Sequence, residues 1–289
     1  PDGQLIRTIG RSGMGPGEVF GILELLHYQA DTVLVLQQDR ISLMDSRGVV
    51  ARERRVSLRS PSAMTVSPIG QLLYSFPEGD PRARPPRHLL MSAEFDRIAV
   101  LDALDPSESS ICTQCRSRMS AWIDNETILA TPPQRRPVFE LWSVDGDLLE
   151  TWEPHGFDWF ESWVEPQAVE GGIRIGGPSG SRRPNSRHTD LRLGDEAVWL
   201  TSVSARPDWT PFTGDRMSDR GPSEEYQHWL RDQWVTTITL FDPDSLGTPL
   251  EQATFDEYLI PATGNTYYRR VQSDVGVVSY VVLRATRLE

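Results

Sequence analysis

"RISLMDSRGVVARER", residues 40–54, reads as strand, tight turn, strand. The Asp and Gly at its centre allow the positive φ values that hairpins need. The design returns in "HLLMSAEFDRIAVLD" (88–102), "VFELWSVDGDLLETW" (138–152) and "TITLFDPDSLGTPLEQATF" (237–255). Each copy follows a shorter apolar run that starts on a polar residue or glycine: "DTVLVLQQ" (31–38), "GQLLYSF" (70–76), "NETILAT" (125–131) and "DEAVWLTSV" (195–203). A fifth run, "DVGVVSYVVL" (274–283), lacks the second half. Runs this apolar read as strands buried on both faces. A repeated unit of strand, strand, Asp/Gly turn, strand predicts the blade of a β-propeller. The runs start 39, 55, 70 and 79 residues apart. The first spacing suits a compact blade of about 40–45 residues, and the later ones require insertions.

Two insertions are visible, at 153–186 and 206–234. The second holds the one convincing helix, over 223–234. Ser223 suits its cap and Glu224 and Glu225 suit its positive end. Tyr226, Trp229, Leu230 and Trp234 form a stripe expected to lie on the propeller body. The first 10 residues, "PDGQLIRTIG", read as half of a hairpin, and "YVVLRATRLE" (280–289) as a third strand with no fourth. Either the N-terminal strand completes the last blade or the chain is a fragment. About five blade units are recognisable in a single domain spanning 1–289.

Composition narrows the function. The chain of 289 residues carries a net charge of −12, which repels phosphate backbones and argues against a nucleic-acid partner. No run of 18 apolar residues exists, so no membrane-spanning helix is expected. All 29 basic residues are arginine. That excludes a Schiff-base lysine and a lysine-bearing phosphate loop. The glycine-rich stretch "TIGRSGMGPGEVFGILEL" (8–25) also lacks the strand–GxGxxG–helix setting of a dinucleotide site. Gly10, Gly13, Gly15 and Gly17 are read instead as the crossing from one blade's outer strand to the next blade's inner strand.

"DGQLIRTIGRSGMGPGE" followed by "DTVLVLQQDRISLMDSRG" resembles bacterial six-bladed β-propellers related to NHL-repeat proteins, which carry a similar G-x-x-G-x-G-P-G-E segment. "VFELWSVDGDLLETWE", "AVWLTSVSARPDW" and "DVGVVSYVVLRATRL" look like later blades of that group, in order. The resemblance implies a six-bladed propeller and an extracytoplasmic setting, whether periplasmic, secreted or lipoprotein-anchored. It brings no reaction. The opening blade and leader of that group have no counterpart here, so the resemblance also implies an N-terminally truncated chain.

Candidate sites are few. Cys112 and Cys115 in "ICTQCRSR" have the spacing of a local disulfide, a redox pair or half a zinc site. The disulfide is preferred, because it suits an oxidising compartment. His27, His88, His155, His188 and His228 are scattered and form no metal motif. Ligand-binding candidates are the aromatic residues of the insertions, Trp159, Phe160, Trp163 and Trp209, whose faces suit sugars, cations or peptides. "RIGGPSGSRRPNSR" (174–187) is an arginine-rich loop. The sequence therefore points to a non-enzymatic scaffold, without cofactor, that binds a peptide, protein or glycan through its loop faces. Two alternatives stand beside it. One is a Ca²⁺-dependent hydrolase or lactonase with channel carboxylates, poorly supplied by only three Asn. The other is a structural module of a larger assembly.

Overall fold

The computed structural model describes residues 11–13, 15, 18–29, 31–37, 40–55, 63–76, 87–101, 118–132, 137–156, 159, 167–169, 172–174, 183–194, 196–218, 221–262, 265–272 and 278–285. The fold is an all-β, five-bladed propeller, built among the described residues from five sheets of three or four strands, with three two-stranded pairs beside them. The glycine segment opens it, with β1 (Arg11–Ser12) parallel to β2 (Glu18–Val19). Sheet one runs in chain order through β3 (Ile22–Gln29), β4 (Thr32–Gln37), β5 (Arg40–Met44) and β6 (Val50–Arg55). Sheet two follows with β7 (Ala63–Val66), β8 (Leu72–Phe76), β9 (Arg87–Met91) and β10 (Arg97–Leu101). Sheet three holds β11 (Met119–Trp122), β12 (Thr127–Thr131), β13 (Phe139–Ser143) and β14 (Leu148–Trp152). A small hairpin of β15 (Gln167–Val169) and β16 (Gly172–Arg174) intervenes.

Sheet four is the longest. Its order is β17 (Arg187–Leu193), β18 (Val198–Ala205), β21 (Trp234–Asp242) and β22 (Ser245–Phe255). Between β18 and β21 lie the short pair β19 (Met217–Ser218) and β20 (Gly221–Pro222), then helix α1 (Glu224–Asp232). Sheet five has three strands, β23 (Ile260–Pro261), β24 (Thr266–Gln272) and β25 (Val278–Arg284). The expected sixth blade is therefore a correction. Among the described residues the long spacings late in the chain hold the β15–β16 hairpin and the α1 insertion and no further four-stranded sheet. The helix is also shorter than expected: it stops at Asp232, and Trp234 opens a strand instead of closing the helical stripe.

Four hairpin turns repeat one set of hydrogen bonds. The N–H groups of Gly48, Gly70, Phe95 and Gly146 donate to the carbonyls of Asp45, Ser67, Ser92 and Ser143, three residues earlier, at 2.9–3.1 Å. Each of those earlier residues donates its own N–H to the carbonyl four positions on, and its side-chain oxygen accepts the N–H of that same residue. The third turn residue takes a left-handed φ of 84°, 84°, 68° and 97° in the four copies. Glycine fills that position three times, because a Cβ there meets the following carbonyl oxygen. Phe95 fills it once, fully buried.

Contacts divide the chain into two compact units, with the boundary passing through sheet three. One comprises Pro1–Leu104, Arg116–Ile128 and Trp142–Leu149. Its core is Leu34, Leu36, Ile41, Leu43, Met64, Leu72, Met91 and Phe95. Arg52 and Arg54, on the outer strand of sheet one, donate to the carbonyls of Ala93 and Phe95 in the turn of sheet two. The other unit comprises Asp105–Cys115, Leu129–Leu141 and Glu150–Glu289. In it Phe139 meets Phe241 edge-on at 4.9 Å, and Ile238, Leu259 and Tyr267 join sheets four and five.

The glycine segment is closed on itself. The Glu18 carboxylate accepts the Gly15 N–H at 2.8 Å, and Arg40 donates to the Gly15 carbonyl at 3.1 Å. A Cβ on Gly13 would stand 2.1 Å from that carboxylate. The space where an anion would sit in a phosphate loop is thus filled by the chain's own carboxylate.

Candidate functional site

Helix α1 and the loop before it build a four-ring cluster. The Ser223 Oγ caps the helix by accepting the Tyr226 N–H at 3.2 Å, and its hydroxyl donates to the Asp215 carbonyl. The cap fixes the helix start, and the 3.6-residue period then puts Tyr226 and Trp229 on one face. Their rings stack at 5.6 Å with 14° between planes. Phe212 packs against both, at 5.2 and 5.7 Å, and Trp209 meets Trp229 edge-on at 6.0 Å. The loop is tied down at both ends. Arg206 N–H donates to the Gln233 carbonyl, Thr210 N–H to the Gln233 Oε1, and the Trp229 indole N–H to the Thr210 carbonyl, each at 2.9 Å. All four rings are half-buried.

Trp209 is thus a true member of the insertion's aromatic group, with its other side packed on the buried cluster of Val203, Ala205 and Trp234. Trp159 is placed differently. Its ring stacks at 4.5 Å on the buried His188, whose Nδ1 lies 2.8 Å from the Ser202 hydroxyl. Among the described residues the ring contact of Trp159 is to His188, apart from the Trp209 cluster. Phe160, Trp163, Cys112 and Cys115 lie outside the described residues.

One feature of sheet four was not anticipated. The β17–β18 register skips Thr189, a β-bulge. Before the bulge His188 lies opposite Ser202, and after it Asp190 lies opposite Thr201. The extra residue sends Asp190 and Arg192 to the face that packs on sheet five, opposite to His188. There the Arg192 Nε sits 3.0 Å from the Asp190 Oδ2, its Nη1 donates to the Ala262 carbonyl at 2.8 Å, and its guanidinium lies 4.9 Å over the Tyr267 ring. The Tyr267 hydroxyl is 3.1 Å from the Thr201 hydroxyl. Burial pushes the Asp190 carboxyl up to about 6, and the nearby Arg192 charge only partly offsets it. The alternation D-x-R in "HTDLRL" hints at a paired edge strand, but nothing in it signals the bulge that sets the face.

The same face of sheet four floors a cavity of about 550 Å³, lined by Trp199, Ile238, Leu240, Ala253 and Phe255 with Arg284 at its border. Among the described residues no three His, Cys, Asp or Glu side chains come together as a metal site. No helix of the described residues is long and apolar enough to cross a membrane.

No family model matches the sequence. No curated protein matches it either. Among solved structures the chain is similar to a candidate exported protein from Bacteroides fragilis, at 11% identity and a TM-score of 0.48, over 91% of this chain and 70% of that one. It is similar to the WD40 domain of Neurospora crassa Pan2, at 6% identity and a TM-score of 0.46, over 91% of this chain and 62% of that one. A Bacteroides caccae protein of unknown function matches at 9% identity and a TM-score of 0.34, over 80% and 78% of the two chains. These likenesses concern the fold. The described residues form five sheets of three or four strands, so the expectation of a six-bladed, NHL-type propeller is withdrawn.

Proposed function

We propose that the chain is a non-enzymatic propeller scaffold that takes a protein or peptide partner on the insertion between β18 and β21. The observation that carries this reading is the cluster of Trp209, Phe212, Tyr226 and Trp229, held outside the sheets by a capped helix and left half-buried. Aromatic rings fixed in place and partly open to solvent supply contact area at little entropic cost, as they do at protein interfaces. Trp159 contributes less to this reading, because its ring is engaged on His188. An extracytoplasmic setting belongs to the same proposal, and fractionation of cells expressing the full gene tests it.

A display selection of random peptides against the wild-type chain tests the binding reading. Enriched peptides are expected to lose about tenfold or more in affinity against Phe212→Ala, the usual range for truncating an interface anchor. Selected peptides that bind wild type and variant equally would move the partner off this insertion. A selection that enriches nothing would remove the reading.

A further inference from the structure

We propose that the partner segment taken by this insertion is cationic, an arginine- or lysine-bearing stretch whose charge lies on the Tyr226–Trp229 ring faces. The inference rests on the binding reading above and adds the chemistry of the partner. Three observations carry it.

The first is the charge around the rings. Glu225, Trp229 and Asp232 are spaced i, i+4 and i+7, so the two carboxylates flank Trp229 along one stripe of α1. Asp208 precedes Trp209, and Asp215 lies in the loop between Phe212 and the helix cap. All four carboxylates are exposed, and none has an ion-pair partner among the described residues. Arg206, another base of the insertion, is paired with Asp256 at 3.5 Å.

The second is a cation already resting there. The exposed Arg216 guanidinium lies 5.9 Å from the centre of the Tyr226 ring. That distance is at the outer limit of a cation–π contact, about 6 Å, so the loop's own arginine holds the ring face loosely. The face is shaped to accept a cation, and a partner's cation would take the place of Arg216.

The third is the field of the whole chain. A net charge of −12 draws basic segments toward any surface where they can be held, and aromatic faces convert that attraction into a fixed contact.

The test uses a ten-residue peptide alternating arginine and glycine, and its counterpart with citrulline, which keeps the shape and removes the charge. Both are titrated by fluorescence polarisation near physiological ionic strength. The arginine peptide is expected to bind roughly tenfold tighter than the citrulline peptide. Two exposed substitutions should act in opposite directions. Glu225→Gln is expected to weaken arginine-peptide binding by about threefold. Arg216→Gln is expected to tighten it by a similar factor, because it removes the competing cation. Asp244→Asn, an exposed site in the turn after β21 and so at the opposite end of that strand from α1, should change it by less than about twofold. Tyr226→Leu, which keeps apolar bulk and removes the ring, should lose about tenfold. If that variant unfolds, the two exposed substitutions still decide the matter.

Equal binding of the two peptides would overturn the cationic partner. So would an Asp244→Asn loss as large as that of Glu225→Gln, which would mean diffuse attraction only. Weakening by Arg216→Gln would also overturn it, since Arg216 would then be a contact and not a competitor. If display-selected peptides bind at Phe212 while the arginine peptide does not, this inference fails and the binding reading stands. If no peptide of any kind binds, both fail.

Discussion

Phe95 breaks the rule that its three sister turns obey. Gly48, Gly70 and Gly146 take a left-handed φ that costs a residue with a Cβ about 1–2 kcal/mol. Phe95 bears that cost because its ring is fully buried among Leu34, Leu36 and Met64. Burial of a phenylalanine outweighs it, since truncating one costs about 3–5 kcal/mol. Phe95→Gly is therefore expected to destabilise the unit by about 2–3 kcal/mol net, read as a lowered urea midpoint. Gly146→Ala should cost only about 1–2 kcal/mol in the same measurement. Asp190 supplies a second prediction. Its folded carboxyl titrates near 6 and its unfolded one at 3.8. The native state holds the proton longer, so this group's contribution is fully present below about pH 4 and is lost as pH rises through 6. Asp190→Asn should flatten that dependence and raise the unfolding midpoint at pH 7.5, by about 1–3 kcal/mol, with no gain at pH 4. Arg192 keeps the Ala262 carbonyl and the Tyr267 ring in that variant.

Among the elements, strands were the most legible and the insertions the least. The alternation of apolar runs with Asp/Gly turns placed four of the five sheets, because hairpin geometry demands those residues locally. The turn between β9 and β10 escaped the glycine rule, since the ring that replaces glycine is justified by packing from elsewhere in the chain. Helix α1 was visible from Ser223, Glu225 and the Tyr226–Trp229 spacing, but its end was not. Trp234 reads equally well as the next turn of a helix or the start of a strand, and pairing with Ala205 decides for the strand. The stripe was expected to lie on the propeller body. Its first two rings meet Phe212 and Trp209 of the same insertion, while Trp234 is buried with Val203 and Ala205 of sheet four. Ser223→Ala removes the cap and is expected to cost the helix about 1 kcal/mol. Hydrogen exchange of the α1 amides should quicken about fivefold while the β21 amides stay unchanged, since the helix opens locally. A uniform change across both would show that the insertion unfolds only with the sheets.

The charge excess belongs to the whole molecule. It argues against a nucleic-acid partner from composition alone. Duplex DNA is expected to show no retention even at low salt, about 50 mM, where phosphate contacts are strongest. Binding of basic peptides should weaken as salt rises, and a salt-independent affinity would place the contact on apolar area alone. The blade count was harder to read than the charge. Insertion length and an extra blade look alike in the spacing of repeats, and only pairing tells them apart. The Thr189 bulge has a last consequence. It acts as a spacer that shifts the phase of β17, so that the residues before it and after it address different neighbours. Drawing Thr189 into the ladder would exchange the addresses: Thr189 would pair with Ser202, His188 would move opposite Val203 onto the face toward sheet five, and Arg187 would turn to the other face. Deleting Thr189 would instead leave His188 opposite Ser202 and Asp190 opposite Thr201, so both layers would keep their residues and only the bulge would be lost. In this strand one unpaired residue, more than the chemistry of its neighbours, decides which side chains share a layer.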